Sequence, residues 1–249
     1  MTSLHLHILI QNKGNYSLEM IKMNLRQFVD LLGQPYSEML GIDIKSGRNI
    51  EILKWFLASI LYGKPIREST ATDTYRMFEV EEILSCSAVL KTGWDGLVSI
   101  LDEGGYTRYD FSTAQRLLDI FGNLQKHYGC DLNKLHSDAK DGADLEARLR
   151  LLGKGMGRTT ISIFLREMRY VWEKAHPAPS PLVMLGMERL KIVNIEKFAR
   201  RRRFDVVRLE TALLRLGKDY IKKGKWPEGL KHSTPHIVKI NSRLDHYRF

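Results

Sequence analysis

Residues 145–172 read LEARLRLLGKGMGRTTISIFLREMRYVW, and this stretch decides the fold class. It contains a run with helical periodicity, a short turn with glycine at every second position, and a second amphipathic run that opens on Arg-Thr-Thr. Helical runs also fill most of the remaining chain, and no convincing pair of strands is present. The sequence therefore predicts an all-α protein in which two of the helices form a hairpin.

The hairpin has the composition of a phosphate-binding turn. Glycine tolerates positive φ and has no Cβ to keep a ligand away. The first N–H groups of the second helix lack intrahelical partners and lie at the positive end of its dipole, where an anion binds well. We therefore predict that the hairpin binds a nucleic-acid backbone without reading sequence. The predicted contacts are Gly153, Lys154, Gly155, Met156, Gly157, Arg158, Thr159 and Thr160. The alternative is an ordinary glycine-rich helix connection.

Composition favours a polyanionic partner and argues against a membrane protein. The 249 residues carry a net charge of +10, with a pI near 9.5. No apolar run approaches the length of a membrane span, and the apolar segment Leu4–Ile10 lacks the features of a signal peptide. Its two histidines, His5 and His7, are too few to predict a metal site. We expect a monomeric cytoplasmic protein.

The two cysteines, Cys86 and Cys130, show no CxxC spacing. Structural zinc sites and cysteine-held iron–sulfur clusters need more ligands than these. The sequence therefore predicts neither group. It predicts two buried thiols in a reducing cytoplasm.

Apolar spacing and turn residues predict the individual helices. Ser112 is the predicted N-cap of one helix that stops at Gly129, and Asp144 is the predicted cap of the first hairpin helix. Residues Tyr36–Asn49 are predicted to form a loop. The other predicted helices are Leu18–Leu32, Ile50–Tyr62, Ser69–Phe78, Glu79–Ser87, Trp94–Leu101, a turn at Leu132–His136, Leu182–Leu190, Ile195–Phe198 and Phe204–Lys222.

Four segments together resemble the helix-hairpin-helix base-excision DNA glycosylases of the endonuclease III superfamily. Ile52–Phe78 is similar to an early pair of core helices whose connecting turn lies beside DNA. Gly93–Leu101 and Gly104–Ala114 resemble the Gly-x-Tyr…Lys-Ala segment before a long helix, and Gly129–Leu135 resembles the Gly-Asp-Leu…Leu connection. Leu152–Thr160 resembles the Leu-Pro-Gly-Val-Gly-Arg-Lys-Thr hairpin. The resemblance covers roughly half of the chain, from Ile50 to Trp172.

The resemblance implies a two-lobed helical fold that binds double-stranded DNA between its lobes and flips a damaged base out of the stack. Residues 45–155 would form the central lobe, and residues 1–44 plus 156–249 the second lobe. The resemblance is also compatible with a monovalent cation bound at the hairpin. Thr159 occupies the position of the family's Schiff-base lysine, so AP-lyase activity is not expected.

The family's essential aspartate has no counterpart in this chain, because its expected position falls on residues 177–179, Pro-Ala-Pro. His176 is the nearest titratable group and the one candidate base. Glu173 and Asp110 are further candidate carboxylates. The implied function is base-excision-type DNA binding, with or without removal of a modified or mismatched base. The alternative is a non-catalytic protein that recognises DNA structure or a lesion.

Two other features suggest contact with nucleic acid. The run Arg200, Arg201, Arg202 and Arg203 is the densest cationic segment and is expected to contact phosphate just before a helix. The same run also allows a third function, an RNA-binding or assembly protein. Tyr106, Tyr109 and Phe111 are aromatic residues that either stack on bases or belong to the core.

Overall fold

The computed structural model describes residues 24–227, and in this range the chain is helical without a β-strand, which confirms the predicted all-α class. Short 3-10 turns lie at Ile44–Ser46 and Ile221–Lys223, and a π-helical turn lies at Leu216–Tyr220. The α-helices of this range are α1 (Leu25–Leu32), α2 (Tyr36–Met39), α3 (Asn49–Tyr62), α4 (Glu68–Val80), α5 (Cys86–Glu103), α6 (Asp110–Tyr128), α7 (Leu132–Asp138), α8 (Gly142–Leu151), α9 (Arg158–Met168), α10 (Pro181–Arg189), α11 (Ile195–Arg202) and α12 (Val206–Arg215).

Most of the predicted helices are present, but two predicted caps are wrong. α6 begins at Asp110, so Ser112 lies inside the helix and its hydroxyl donates to the Tyr109 carbonyl at 3.1 Å. Asp141 caps α8 by accepting the N–H of Asp144 at 2.8 Å. Two aspartates three residues apart can both cap a helix, and the chain turns helical at the earlier one.

The predicted secondary structure is also wrong in three segments. The predicted helix Glu79–Ser87 is absent. Glu82 adopts a φ of +57°, which no right-handed helix accommodates, and the residues of this segment are divided between the end of α4, a turn and the start of α5. Residues 36–49 contain α2 and a 3-10 turn in place of a pure loop. The predicted last helix ends as an α-helix at Arg215 and continues as π and 3-10 turns. The segments Leu4–Ile10 and Lys231–Phe249 lie outside the described residues.

A large hydrophobic core joins α2 to α9. The helix α3 is apolar on most of its faces, and its Trp55 and Phe56 are completely buried. The Phe56 ring forms T-shaped contacts with Phe121 and Phe164 at centroid distances of 5.9 and 5.1 Å. This contact ties α3, α6 and α9 together. The helix α9 therefore packs with residues that precede it in the chain.

A smaller core is built by α1 and α10–α12, from opposite ends of the described chain. The two cores meet where α9 contacts α12, and the fully buried Glu167 ties α9 to α2. Its carboxylate accepts the N–H groups of Tyr36 and Ser37 at 2.9 and 3.0 Å. Burial raises the pKa of Glu167, and the positive charge of Arg166 and these hydrogen bonds act in the opposite direction.

Cys86 and Cys130 form a disulfide, so the prediction of two separate thiols is wrong for this structure. Their Cα atoms lie 5.9 Å apart, although 44 positions separate them in sequence. The helices α5 and α6 pack along each other, which brings Cys86 at the start of α5 close to Cys130, two residues beyond the end of α6. Sequence spacing alone does not reveal this proximity.

Candidate nucleic-acid interface

The glycine turn between α8 and α9 packs on the large core through a buried methionine. Gly153 and Gly155 have φ angles of +155° and +113°, a region that favours glycine. The N–H of Met156 donates to the Gly153 carbonyl at 3.2 Å, and the Met156 side chain is buried in the large core. Of the predicted contact residues, Met156 therefore serves the core, while Lys154 and Gly157 are exposed.

The first turn of α9 presents N–H groups that have no acceptor within residues 24–227. Gly157 precedes the helix in an extended conformation and supplies no side-chain cap. Among the described residues, no acceptor bonds to the N–H groups of Arg158, Thr159 and Thr160. A Cβ built at residue 157 would have no atom within 4 Å, and Arg158 and Thr159 are exposed, whereas Thr160 is buried. The arrangement suits an anion.

Thr160 connects the turn to a second loop. Its hydroxyl donates to the Gly155 carbonyl at 2.9 Å, which closes the turn onto α9. Gly63, at the end of α3, lies so close that a Cβ there would overlap the Thr160 hydroxyl. The end of α3 at Gly63 is therefore packed against the start of α9, and Arg67, four residues further on, is exposed.

The long helix α6 supports the other side of the turn. The side-chain amide of Asn123 donates to the Leu152 carbonyl at 2.9 Å. A Cβ at residue 155 would lie 3.2 Å from Arg116 Cδ, so glycine permits this close approach as well as the positive φ. Lys154 borders a shallow groove of about 510 Å³ along α6. Sequence reasoning missed Arg116, because only the folded chain places it beside the turn.

Three cations surround the turn, and we call Arg116, Lys154 and Arg158 the cationic rim. None of them forms an ion pair with any residue between 24 and 227. Unpaired cations around open N–H groups attract a phosphate electrostatically. The rim therefore adds charge to the N–H groups of α9.

Residues 177–179, where the resemblance places an essential aspartate, contribute a backbone carbonyl to a charged cluster. Arg169 donates to the Pro177 carbonyl at 3.0 Å and forms a buried ion pair with Glu210. Burial raises the pKa of Glu210, and the charge of Arg169 opposes this effect. His176 Nδ1 lies 3.1 Å from Glu196 Oε1, and both side chains are exposed. The structure thus supplies a carboxylate partner for His176 that the sequence did not indicate.

The two other candidate carboxylates lie in ordinary surroundings. Asp110 is the first residue of α6, and its carboxylate accepts the N–H of Phe111 at 2.6 Å. Glu173 is exposed. Thr159, where the resemblance places a lysine, is exposed in the first turn of α9.

The arginine run forms the end of α11 and, as the sequence predicts, lies just before another helix, α12, which begins at Val206. Arg200, Arg201 and Arg202 occupy the last turn of α11, and Arg203 is its left-handed C-cap. The guanidinium groups of Arg201 and Arg202 lie 5.9 and 6.0 Å from the Phe198 ring centre. The helix C-terminus and this ring offset part of the repulsion between like charges. Phosphate contact by this run stays a prediction.

The three candidate stacking aromatics differ in exposure. Tyr106 is buried, and its hydroxyl donates to the Leu61 carbonyl at 2.6 Å. Burial therefore raises the pKa of Tyr106. Tyr109 is half-buried, whereas Phe111 is 60% exposed and leans on the exposed Trp94. Only Phe111 of the three is free to meet a base.

Neither protein-family models nor curated proteins match this chain. None of the helices between residues 24 and 227 is long and apolar enough to cross a membrane. In the same range, His, Cys, Asp and Glu side chains form no group of three that could hold a metal ion.

Proposed function

We propose that this protein binds double-stranded DNA through its sugar-phosphate backbone, in the manner of base-excision repair proteins. The observation that carries the proposal is the open N-terminus of α9, where three N–H groups lack acceptors among the described residues. The cationic rim and the net charge of +10 supply the matching electrostatics. A phosphate at this position would receive backbone hydrogen bonds together with positive charge.

The sharpest test substitutes Gly157 with aspartate. Aspartate is a good N-cap, and residue 157 has a negative φ and open space, so α9 should remain stable. The new carboxylate would occupy the N–H groups and repel phosphate. We expect Gly157→Asp to abolish binding to a labelled duplex in fluorescence anisotropy. Gly157→Asn caps the helix without charge and should weaken binding less.

Ser180→Asp is the matched control, because Ser180 caps α10 in the same way, through Val183 N–H. This variant should bind DNA like the wild type. Arg158→Glu should also abolish binding. Arg158→Ala should lower the slope of log K against log salt by about 0.9. Unchanged binding by Gly157→Asp and Arg158→Glu together would refute the assignment of the hairpin.

A second candidate function is removal of a base by hydrolysis, and the hydrogen bond between His176 and Glu196 favours it. A histidine oriented by a carboxylate can take a proton from water. To test this, the protein is incubated with duplexes that contain uracil, a thymine–guanine mismatch, oxidised guanine or alkylated adenine. Alkali then cleaves the strand wherever a base has been removed. An enzyme should lose excision, but not binding, in His176→Ala. Tight binding without cleavage on all substrates would leave recognition without catalysis as the function.

A further inference from the structure

The positive charge of the chain is distributed unevenly between the parts that build its two cores. Residues 35–180, which include the large core and the glycine turn, contain 19 Lys and Arg and 20 Asp and Glu. Residues 24–34 and 181–227, which build the smaller core, contain 14 Lys and Arg and only 6 Asp and Glu. The charge surplus that attracts a polyanion therefore lies on helices other than those of the glycine turn.

The helix α11 presents part of this surplus on one side. Successive residues of an α-helix are rotated by about 100°, so Lys197, Arg200 and Arg201 point away from the side that carries Ile195 and Ala199. Ile195 and Ala199 are buried in the smaller core, whereas the three cations are exposed. We call Lys197, Arg200 and Arg201 the α11 face.

The α11 face has no counter-charge in the described part of the chain. None of its three cations forms an ion pair with another residue between 24 and 227. Glu196, the one acidic residue of α11, lies instead beside His176 and Arg169. Cations gathered in this way repel each other, and a bound polyanion would remove that repulsion.

Arg203 adds a fourth charge at the end of α11. It is the C-cap of the helix and has a φ of +56°, a conformation that glycine adopts with less steric cost. The side chain of Arg203 is exposed and forms no ion pair with residues 24–227. An arginine at a position that suits glycine is explained by a contact outside the fold.

The chemistry of this surface favours phosphate over a lipid surface. Arginine binds phosphate oxygens through two parallel N–H donors, and three of the four cations are arginines. A helix that lies on a membrane needs an exposed apolar side next to its cations. The apolar side of α11, Ile195 and Ala199, is buried.

The α11 face and the glycine turn are separate places. The Arg169 guanidinium at the end of α9 lies 3.9 Å from the Glu196 carboxylate in the first turn of α11. The glycine turn lies at the opposite end of α9, whose 11 residues span about 16 Å. One phosphate cannot contact both places. Two separate anion-binding places fit an extended polyanion, such as the backbone of DNA.

We propose that the α11 face and Arg203 form a second contact for the phosphate backbone of the DNA that binds at the glycine turn. The inference rests on the proposed function and extends the DNA contact to the smaller core. Arg202 is not part of this surface, because it lies seven positions after Ile195 and so points to the same side of α11. The second contact supplies affinity that depends on salt and not on base sequence.

The experiment measures the affinity for a labelled duplex by anisotropy at several salt concentrations. Each lost phosphate contact lowers the slope of log K against log salt by about 0.9, so the triple variant Lys197→Ala, Arg200→Ala, Arg201→Ala should lower it by roughly 2.7. The control removes three exposed cations of residues 35–180 and should change the slope less. It combines Lys91→Ala, Arg108→Ala and Lys140→Ala. Thermal melting checks that both triple variants are folded.

Arg203→Gly separates binding from stability. Glycine relieves the positive φ, so this variant should melt no lower than the wild type and still lose about 0.9 of the salt slope. An unchanged slope in Arg203→Gly and the α11 triple variant, or an equal fall in the control, overturns the second contact and leaves the glycine turn standing. Binding by Gly157→Asp like the wild type, with a lower slope in the α11 variant, refutes the glycine turn alone. A wild type that binds no DNA overturns both.

Discussion

The disulfide between Cys86 and Cys130 should make a large contribution to stability, and reduction is the perturbation that measures it. The bond closes a loop across 44 positions. In the chain-entropy model, closing a loop of this length in the unfolded chain stabilises the fold by about 4 kcal/mol at 25 °C. For a chain of this size, each kcal/mol corresponds to about 2–4 °C in Tm. Reduction should therefore lower Tm by roughly 8–16 °C.

Scanning calorimetry with and without a reductant provides the assay, and quantification of free thiols verifies the redox state of each sample. The Cys86→Ala, Cys130→Ala double variant should melt at about the Tm of the reduced wild type, and reductant should not change its Tm. Two free thiols in the protein before reduction would refute the disulfide. An intact disulfide whose reduction leaves Tm unchanged would instead contradict the loop-entropy argument.

Two further substitutions test the packing around the hairpin and its helix. Gly63→Ala would place a methyl group on the Thr160 hydroxyl and should cost about 1–3 kcal/mol and weaken DNA binding. Adding Thr160→Ala should restore part of the loss, and full stability of Gly63→Ala in urea melts would contradict this contact. Glu167→Gln replaces one of two acceptor oxygens by a donor facing an N–H group, so it should cost about 1–3 kcal/mol. Exposed Glu173→Gln is its control, and equal melting curves for the two variants would argue against the buried cap.

Local patterns in the sequence predicted the all-α class and the two helices around the glycine turn. These features depend on periodicity and turn residues, which are properties of neighbouring positions. The contact of Gly63 with Thr160 and the proximity of Arg116 to Gly155 join distant segments. Such proximities follow from the way helices pack, and a single sequence carries no direct signal for them.

The errors have the same physical origin. In the sequence, Cys86 and Cys130 are two distant cysteines. They form a disulfide because α5 and α6 pack along each other. The interpretation of Phe111 as either a core or a stacking residue could not be decided from aromatic content, since Tyr106 nearby is buried and Phe111 is exposed. The partner of His176 also lies 20 positions away, on another helix. Tertiary packing decides each of these cases.

The distribution of cations supports the proposal that the glycine turn binds an anion. At the junction of the two cores, Arg169 is paired with Glu210 and with a backbone carbonyl, and its charge is used within the fold. Around the glycine turn, Arg116, Lys154 and Arg158 have no ion-pair partner among the described residues. Like charges gathered in one place repel each other unless a counter-charge arrives. A phosphate backbone supplies that counter-charge, so we expect DNA to raise the Tm of the wild type and to leave that of Gly157→Asp unchanged.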